Sequence, residues 1–196
     1  IIGLSVGNSI ALTMAIERCF GEICLADFDE IELTNLNRIR TGVSTLGINK
    51  VIVTARQILE IDPFLSIKCF ESGVTEENFD EFLLSGGKLD LLIEECDSLD
   101  MKFFARIKAK QHCIPVIMDT SDNGMIDIEM FDVEPERPIF HGLARDADMD
   151  VLKGLTSEEK VPYFLEIIGT DTISKRLKAS LVEIDETIKT WPQLSS

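Results

Sequence analysis

With 196 residues, 45% of them hydrophobic, the chain is long enough to bury a core of its own and too apolar to be disordered. Its 35 acidic residues against 19 Lys and Arg leave a net charge of −16, which disfavours nucleic acid and anionic lipid through like-charge repulsion and requires any phosphate site to be a local basic island. Five cysteines without a C-x-x-C pair argue against a disulfide framework and against a four-cysteine zinc site, no apolar run reaches membrane-spanning length and no signal peptide is visible, so a reduced cytoplasmic setting is expected.

Ile1 to Leu4 reads as the end of a buried strand, and because the chain opens there without a Met the true start is expected upstream. Gly3-Leu4-Ser5-Val6-Gly7-Asn8-Ser9 reads as a turn into a helix running to about Phe20, where backbone N–H groups at the helix N-terminus can hold an anion. The glycines fall short of a full G-x-G-x-x-G: with Gly3 first, Ser5 and Asn8 occupy the second and third positions. Gly3, Ser5, Gly7 and Asn8 are therefore candidates for a phosphate turn. Gly21 ends the helix, Glu22 to Ala26 is the next strand, and Asp27 stands at its carboxyl end. Asp27 lies 20 residues after Gly7, the separation at which a βαβ unit brings a carboxylate to a ribose. A second carboxylate, Asp29, follows, and then Asn35 and the phosphate-pairing cation Arg38.

Leu46-Gly47-Ile48-Asn49-Lys50 opens a second helix with Val51, Ala55, Ile58 and Leu59 on one side, ending at Asp62-Pro63. Lys50 falls in the first helical turn, where a cation opposes the helix dipole and a bound phosphate would remove the conflict. Leu65 to Phe70 is a third strand, and Thr75 is expected to cap an acidic helix to about Leu84. Leu89 to Ile93 is a buried parallel strand that ends in Glu94-Glu95-Cys96-Asp97-Ser98. Three carboxylates at one strand end repel unless a cation sits among them, which makes Asp97 a magnesium candidate, helix N-capping being the alternative.

The helix from Leu99 to His112 carries Lys102, Arg106, Lys108 and Lys110, expected as a solvated face. Ile114 to Met118 is a short strand and Met125 to Val133 a strand or hairpin arm, after which Pro135 and Pro138 mark a boundary. Residues 1–138 are thus expected to be the nucleotide-binding domain and 139–196 a helical appendage with helices at Ser157 to Ile168 and Thr172 to Ile188. The apolar stripe Val161, Phe164, Leu165, Ile168, Ile173, Leu177, Leu181, Ile184 and Ile188 must be covered, by the same chain or by a partner. His112 and His141 have no zinc-like spacing and no nucleophile beside them, and are expected to be packed or exposed. The fold class expected is α/β, a three-layer Rossmann-like domain with a mostly parallel sheet.

These residues resemble the ThiF/MoeB/HesA superfamily, the adenylate-forming relatives of ubiquitin-activating enzymes. The likeness rests on D-x-D-x-(V/I)-x-x-x-N-L-x-R at Asp27 to Arg38, on G-x-x-K at Gly47 to Lys50, and on a strand ending in T-D-N, here Cys96-Asp97-Ser98. It implies that Asp27 holds the ribose of ATP, that Asn35, Arg38 and Lys50 contact the triphosphate, and that Asp97 assists magnesium. The implied chemistry is adenylylation of a carboxylate, the C-terminus of a small ubiquitin-like or sulfur-carrier protein, with no protein base needed. Arg38, Lys50 and Asp97 would be the catalytic residues.

The departures matter too. The glycine turn is thinned, Ser98 replaces an Asn, the zinc C-x-x-C pairs are absent, and no cysteine follows the Ile114 to Met118 strand to form a thioester. Adenylylation is better supported than thiol transfer. Some stretches look like a branch whose ThiF-like domain occurs with a nitroreductase-like domain, and the resemblance also implies a homodimer. Two other functions compete: a dinucleotide-dependent oxidoreductase module, which leaves Arg38 and Lys50 unexplained, and an ATP-binding sensing or scaffolding domain without turnover.

Overall fold

The computed structural model describes residues 1–120, 124–143, 149–169 and 173–182. The chain forms two compact units, Ile1–Glu95 and Cys96–Ser196. The first contains α1 (Gly7–Ile16), β1 (Glu22–Ala26), α2 (Lys50–Ile61), β2 (Ser66–Phe70), α3 (Phe79–Leu84) and β3 (Leu92–Ile93).

β1 and β2 pair in parallel, from Glu22 opposite Ser66 to Ala26 opposite Phe70. The strand expected at Ile1 to Leu4 contracts to Ile2, which is bridged in parallel to Ala26 on one side and to Glu94 on the other. Gly3, at φ +84°, then turns the chain out of the sheet, a conformation that glycine adopts without a Cβ clash. The order in this unit is β2, β1, Ile2 and the end of β3, with every pairing parallel and α1 crossing from Ile2 to β1.

Strand alternation sorts the side chains onto two faces. Ile23 and Leu25 join Leu12 and Ala15 of α1 and Val51, Ala55 and Ile58 of α2 in one buried cluster. Phe70, on the opposite face, meets Phe82 of α3 edge-on, with ring centroids 5.1 Å apart. Helices therefore cover both faces, as the α/β pattern implies. A Cβ at Gly7 would stand 2.6 Å from Ile1 Cγ2, so the close approach of α1 to the sheet needs glycine there. α3 starts later than expected because Thr75 caps no helix: its N–H donates to Asn78 Oδ1 (2.6 Å) and Asn78 Nδ2 donates to Gly73 O (3.1 Å), closing a turn instead.

The second unit contains α4 (Leu99–Gln111), β4 (Val116–Asp119), β5 (Ile126–Glu129), α5 (Met149–Gly154), α6 (Ser157–Ile168) and α7 (Lys175–Val182). β4 and β5 form an antiparallel pair, and α6 opens on a reciprocal Thr156–Glu159 capping box. The helices expected as an appendage after residue 138 share a core with α4 and β4: Leu99, Phe103, Met118, Phe140, Leu152, Ile167, Ile168, Ile173 and Leu177 are buried together, with Phe164 and Leu165 against them. That part of the apolar stripe is covered within its own unit, so it supplies no argument for a partner. Ile184 and Ile188 lie outside the described residues, as do the ends of the helix expected at Thr172 to Ile188.

The basic run on α4 is not a solvated face. Lys102 and Arg106 are buried, Arg106 with no exposure at all. The Arg106 guanidinium lies 2.5 Å from Glu129 Oε2 and 3.3 Å from Asp127 Oδ2, and stacks 4.0 Å from the centre of the Phe140 ring. Phe140 and His141 both hold positive φ, 48° and 56°, and the Phe140 N–H donates to Glu129 Oε1. His141 joins the same cluster: Nε2 meets Asp127 Oδ1 at 2.5 Å, and Nδ1 accepts from Arg137 Nε at 3.1 Å. Periodicity could not reveal this, because a buried cation with buried carboxylate partners reads in sequence like any charged residue.

Removing the guanidinium leaves Glu129 buried without its countercharge. Arg106→Ala is expected to lower the unfolding free energy by about 3–5 kcal/mol in urea denaturation. A loss below about 1 kcal/mol would mean that the cluster is hydrated rather than paired.

Candidate functional site

β1 delivers Asp27 to the carboxyl edge of the parallel sheet, where ligands of open α/β folds bind. Its carboxylate is buried and oriented by backbone donors: Leu4 N–H of the glycine turn donates to Oδ2 (2.7 Å) and Asp29 N–H to Oδ1 (2.9 Å). Burial pushes the Asp27 carboxyl above its ordinary value of 3.8, while the Leu4 N–H and the Lys50 ammonium pull the other way. Each carboxylate oxygen offers two lone pairs, so capacity for hydroxyl donors remains.

Lys50 is the first residue of α2 and is buried. Its ammonium lies 2.7 Å from Asp29 Oδ2, 3.8 Å from Asp27 Oδ1 and 3.4 Å from Ser5 Oγ. The conflict between this cation and the helix dipole, which a bound phosphate would remove, is relieved here by the chain's own carboxylates. The start of α2 is fixed by Asn49, whose side chain accepts from Val51 N–H and donates to Asp27 O (3.4 Å) and Glu71 O (3.1 Å). Asn immediately before a periodic helix is a capping signal, and Asn49 carries that signal in the sequence.

The other candidates divide. Gly3 and Ser5 belong to the turn that reaches Asp27 and Lys50, and α1 begins without a side-chain cap and without an acidic residue in its first turn, which leaves its N-terminal donors suited to an anion. Gly7 serves the packing of α1. Asn8 is fully buried and bonds across to α2, donating to Thr54 Oγ1 (3.0 Å) and Gln57 Oε1 (2.9 Å), while its Oδ1 accepts from Arg40 N–H (3.4 Å). Its side chain is spent on the fold rather than turned to a ligand. Asn35 is buried and accepts from Glu32 N–H (2.9 Å), and Arg38 donates to Thr34 O (3.3 Å) and Asn37 Oδ1 (3.0 Å), so both brace the segment between β1 and α2.

The carboxylates after β3 differ in burial. Glu94 is fully buried at the bridge to Ile2, and Glu95 N–H donates to Ile2 O (2.8 Å). Asp97 is exposed and belongs to the second unit, and Ser98, not Asp97, caps α4 by accepting from Met101 N–H (3.4 Å). Among the described residues no group of three or more His, Cys, Asp or Glu could hold a metal ion, so these carboxylates form no preassembled metal site.

Asp27, Lys50 and Ser5, together with the uncapped start of α1, suit a nucleotide: a buried acceptor for ribose hydroxyls beside a cation and donors for phosphate. The family model that matches the chain is the ThiF family, over residues 1–190. The uncharacterized protein MT1398 of Mycobacterium tuberculosis (strain CDC 1551 / Oshkosh) is 50% identical over 195 residues, covering 100% of this chain and 27% of its own length. Ubiquitin-like modifier-activating enzyme 5 of Drosophila persimilis is 26% identical over 123 residues, covering 58% of this chain and 32% of its own length. Among solved structures, the E. coli tRNA N6-threonylcarbamoyladenosine dehydratase TcdA, in complex with AMP, superposes with a TM-score of 0.56 at 25% identity, covering 63% of this chain and 51% of its own. The chain therefore spans between about a quarter and a half of the length of these relatives. With its motifs, its parallel βαβ edge and a match over residues 1–190, the chain belongs to the ThiF family.

Proposed function

We propose that this chain binds ATP at the carboxyl edge of the parallel sheet and adenylylates a carboxylate, the C-terminus of a small ubiquitin-like or sulfur-carrier protein. The observation that carries the reading is the buried Lys50 ammonium set between Ser5 of the glycine turn and the carboxylates that follow β1. An ammonium at a helix N-terminus beside an anion-ready turn matches a phosphate. When bound, ATP supplies the α-phosphorus that the substrate carboxylate attacks, with pyrophosphate leaving.

In this reading Asp27 accepts from the ribose, and its two backbone donors keep it oriented. Lys50 pairs with the phosphates, and Arg38 adds a second cation from the segment between β1 and α2. Asn35 shapes that segment through its buried side chain, with its Oδ1 already accepting from Glu32 N–H. Asp97 is assigned magnesium by the family motif alone. A single exposed carboxylate is compatible with this ion, which fills most of its six positions with water and substrate phosphate.

The reading extends to a cytoplasmic setting, in keeping with the free cysteines, and to a homodimer, which rests on the family resemblance. Because the chain covers only 27% of MT1398, we also propose that it works within a larger assembly, a nitroreductase-like domain being the partner to which the resemblance points.

Lys50→Ala and Arg38→Ala should each weaken ATP binding about ten- to a hundredfold, the effect of one charge-assisted contact. ATP–pyrophosphate exchange stimulated by a carboxylate substrate tests the chemistry itself. ATP binding without exchange for any C-terminal Gly-Gly carrier would reduce the function to sensing. Asp97→Asn should keep the fold and raise the magnesium concentration needed for half-maximal exchange; an unchanged requirement would remove the metal role. Light scattering at micromolar concentration should return a dimer mass, and a stable monomer would remove the homodimer.

A further inference from the structure

The two carboxylates around Lys50 are held very differently. Asp27 has an 8% exposed side chain tied by two backbone N–H groups, so it has nowhere to go. Asp29 has a 53% exposed side chain, and its Oδ2 lies 2.7 Å from the Lys50 ammonium. It makes the closest charge contact in the site from a position open to water. A carboxylate of this kind hydrates on leaving and loses little, whereas the 5% exposed ammonium cannot be left without an anion.

The cluster formed by Lys50, Asp27 and Asp29 carries two negative charges against one positive. A phosphate that approaches Lys50 while Asp29 remains in place meets a repulsive site. A phosphate that replaces Asp29 at the ammonium exchanges one oxygen anion for another and preserves the pairing of the buried charge.

We propose that Asp29 is an exchangeable counterion: it neutralises Lys50 in the nucleotide-free protein, and yields the ammonium to phosphate when nucleotide binds. Asp29 is then a positioning residue that acts through Lys50 and sets the anion affinity of the site without itself contacting the nucleotide. The proposal rests on Lys50 being the phosphate-pairing cation.

Its signature is a trade between stability and affinity. Asp29→Asn removes the competitor, so ATP and AMP should bind roughly tenfold more tightly in magnesium-free buffer, while adenosine, which has no phosphate, should be unaffected. The same substitution should lower the melting temperature, because the buried ammonium loses its nearest partner. Asp29→Glu, which keeps the charge, should return ATP affinity toward that of the unsubstituted protein.

The test is calorimetric titration of the unsubstituted chain, Asp29→Asn and Asp29→Glu with ATP, AMP and adenosine, together with thermal melts. Carboxylate ¹³C NMR of the unsubstituted protein supplies a readout that needs no variant to fold: ATP should move the Asp29 carboxyl signal by more than the Asp27 signal. Equal or weaker ATP binding by Asp29→Asn would overturn the counterion role and leave ATP binding standing, as would an unmoved Asp29 signal in a protein that binds ATP. Binding of ATP gained only by Asp29→Asn would support it. Absence of ATP and AMP binding in all three proteins would overturn both this inference and the nucleotide reading.

Discussion

The first unit depends on one electrostatic arrangement: the Lys50 ammonium, buried at the first turn of α2, can stay there only because anions stand beside it. Desolvating a lone ammonium costs several kcal/mol, and the helix dipole adds to the cost. Asp29 and Asp27 supply the anions, and both sit just past the last residue of β1. The ion contact, the Asn49 cap and the backbone bond from Lys50 N–H to Asp29 O together join the end of β1 to the start of α2. Two secondary elements separated by more than 20 residues of chain are thereby held at a fixed spacing, and the glycine turn is drawn to the same place through Leu4 N–H and Ser5 Oγ.

The rest of the unit fixes the elements that carry this edge. Gly7 lets α1 approach the sheet, and Asn8, turned inward, locks α1 to α2 through Thr54 and Gln57. The apolar cluster beneath them is formed from the alternating residues of β1 and the inner stripes of both helices. A polar crosslink of two hydrogen bonds in that position favours one helix pairing over its neighbours, since any slip would leave a buried amide unsatisfied. The second unit solves a different problem with the same physics. Arg106 occupies its interior, where Glu129, Asp127 and the Phe140 ring compensate its charge.

Much of this was legible in the residues. The limits of β1 and of α6 follow from period and flanking turn signals, and the D-x-D, Asn-Leu-x-Arg and Lys pattern points to the family to which the chain belongs. What escaped has physical causes. Asn8, third in the glycine motif by count, was expected at the ligand; its amide instead bonds to α2, and no local pattern tells which way a side chain at a helix start will turn. Lys102 and Arg106 looked like a solvated face because helical period marks apolar stripes and is blind to a cation whose partners lie some 20 residues further on. Glu94, Glu95 and Asp97 read as one crowded patch, but Glu94 is fully buried at the bridge to Ile2 while Asp97 is exposed, a difference that residue type alone does not show. The α3 start was displaced because Asn78 competes for backbone partners in a turn, as short polar side chains do. The packing of α6 and α7 onto α4 could not be foreseen, since an amphipathic stripe shows only that it needs cover.

The central claim is that the edge bearing Asp27 and Lys50 is built for a nucleotide triphosphate rather than for a dinucleotide. Parallel calorimetric titrations of the intact chain with ATP and with NAD, in the same magnesium-containing buffer, test it most directly. The account predicts that ATP binds more tightly than NAD, because a buried ammonium and an uncapped helix start favour the more highly charged ligand. Tight binding of NAD with no binding of ATP would contradict it.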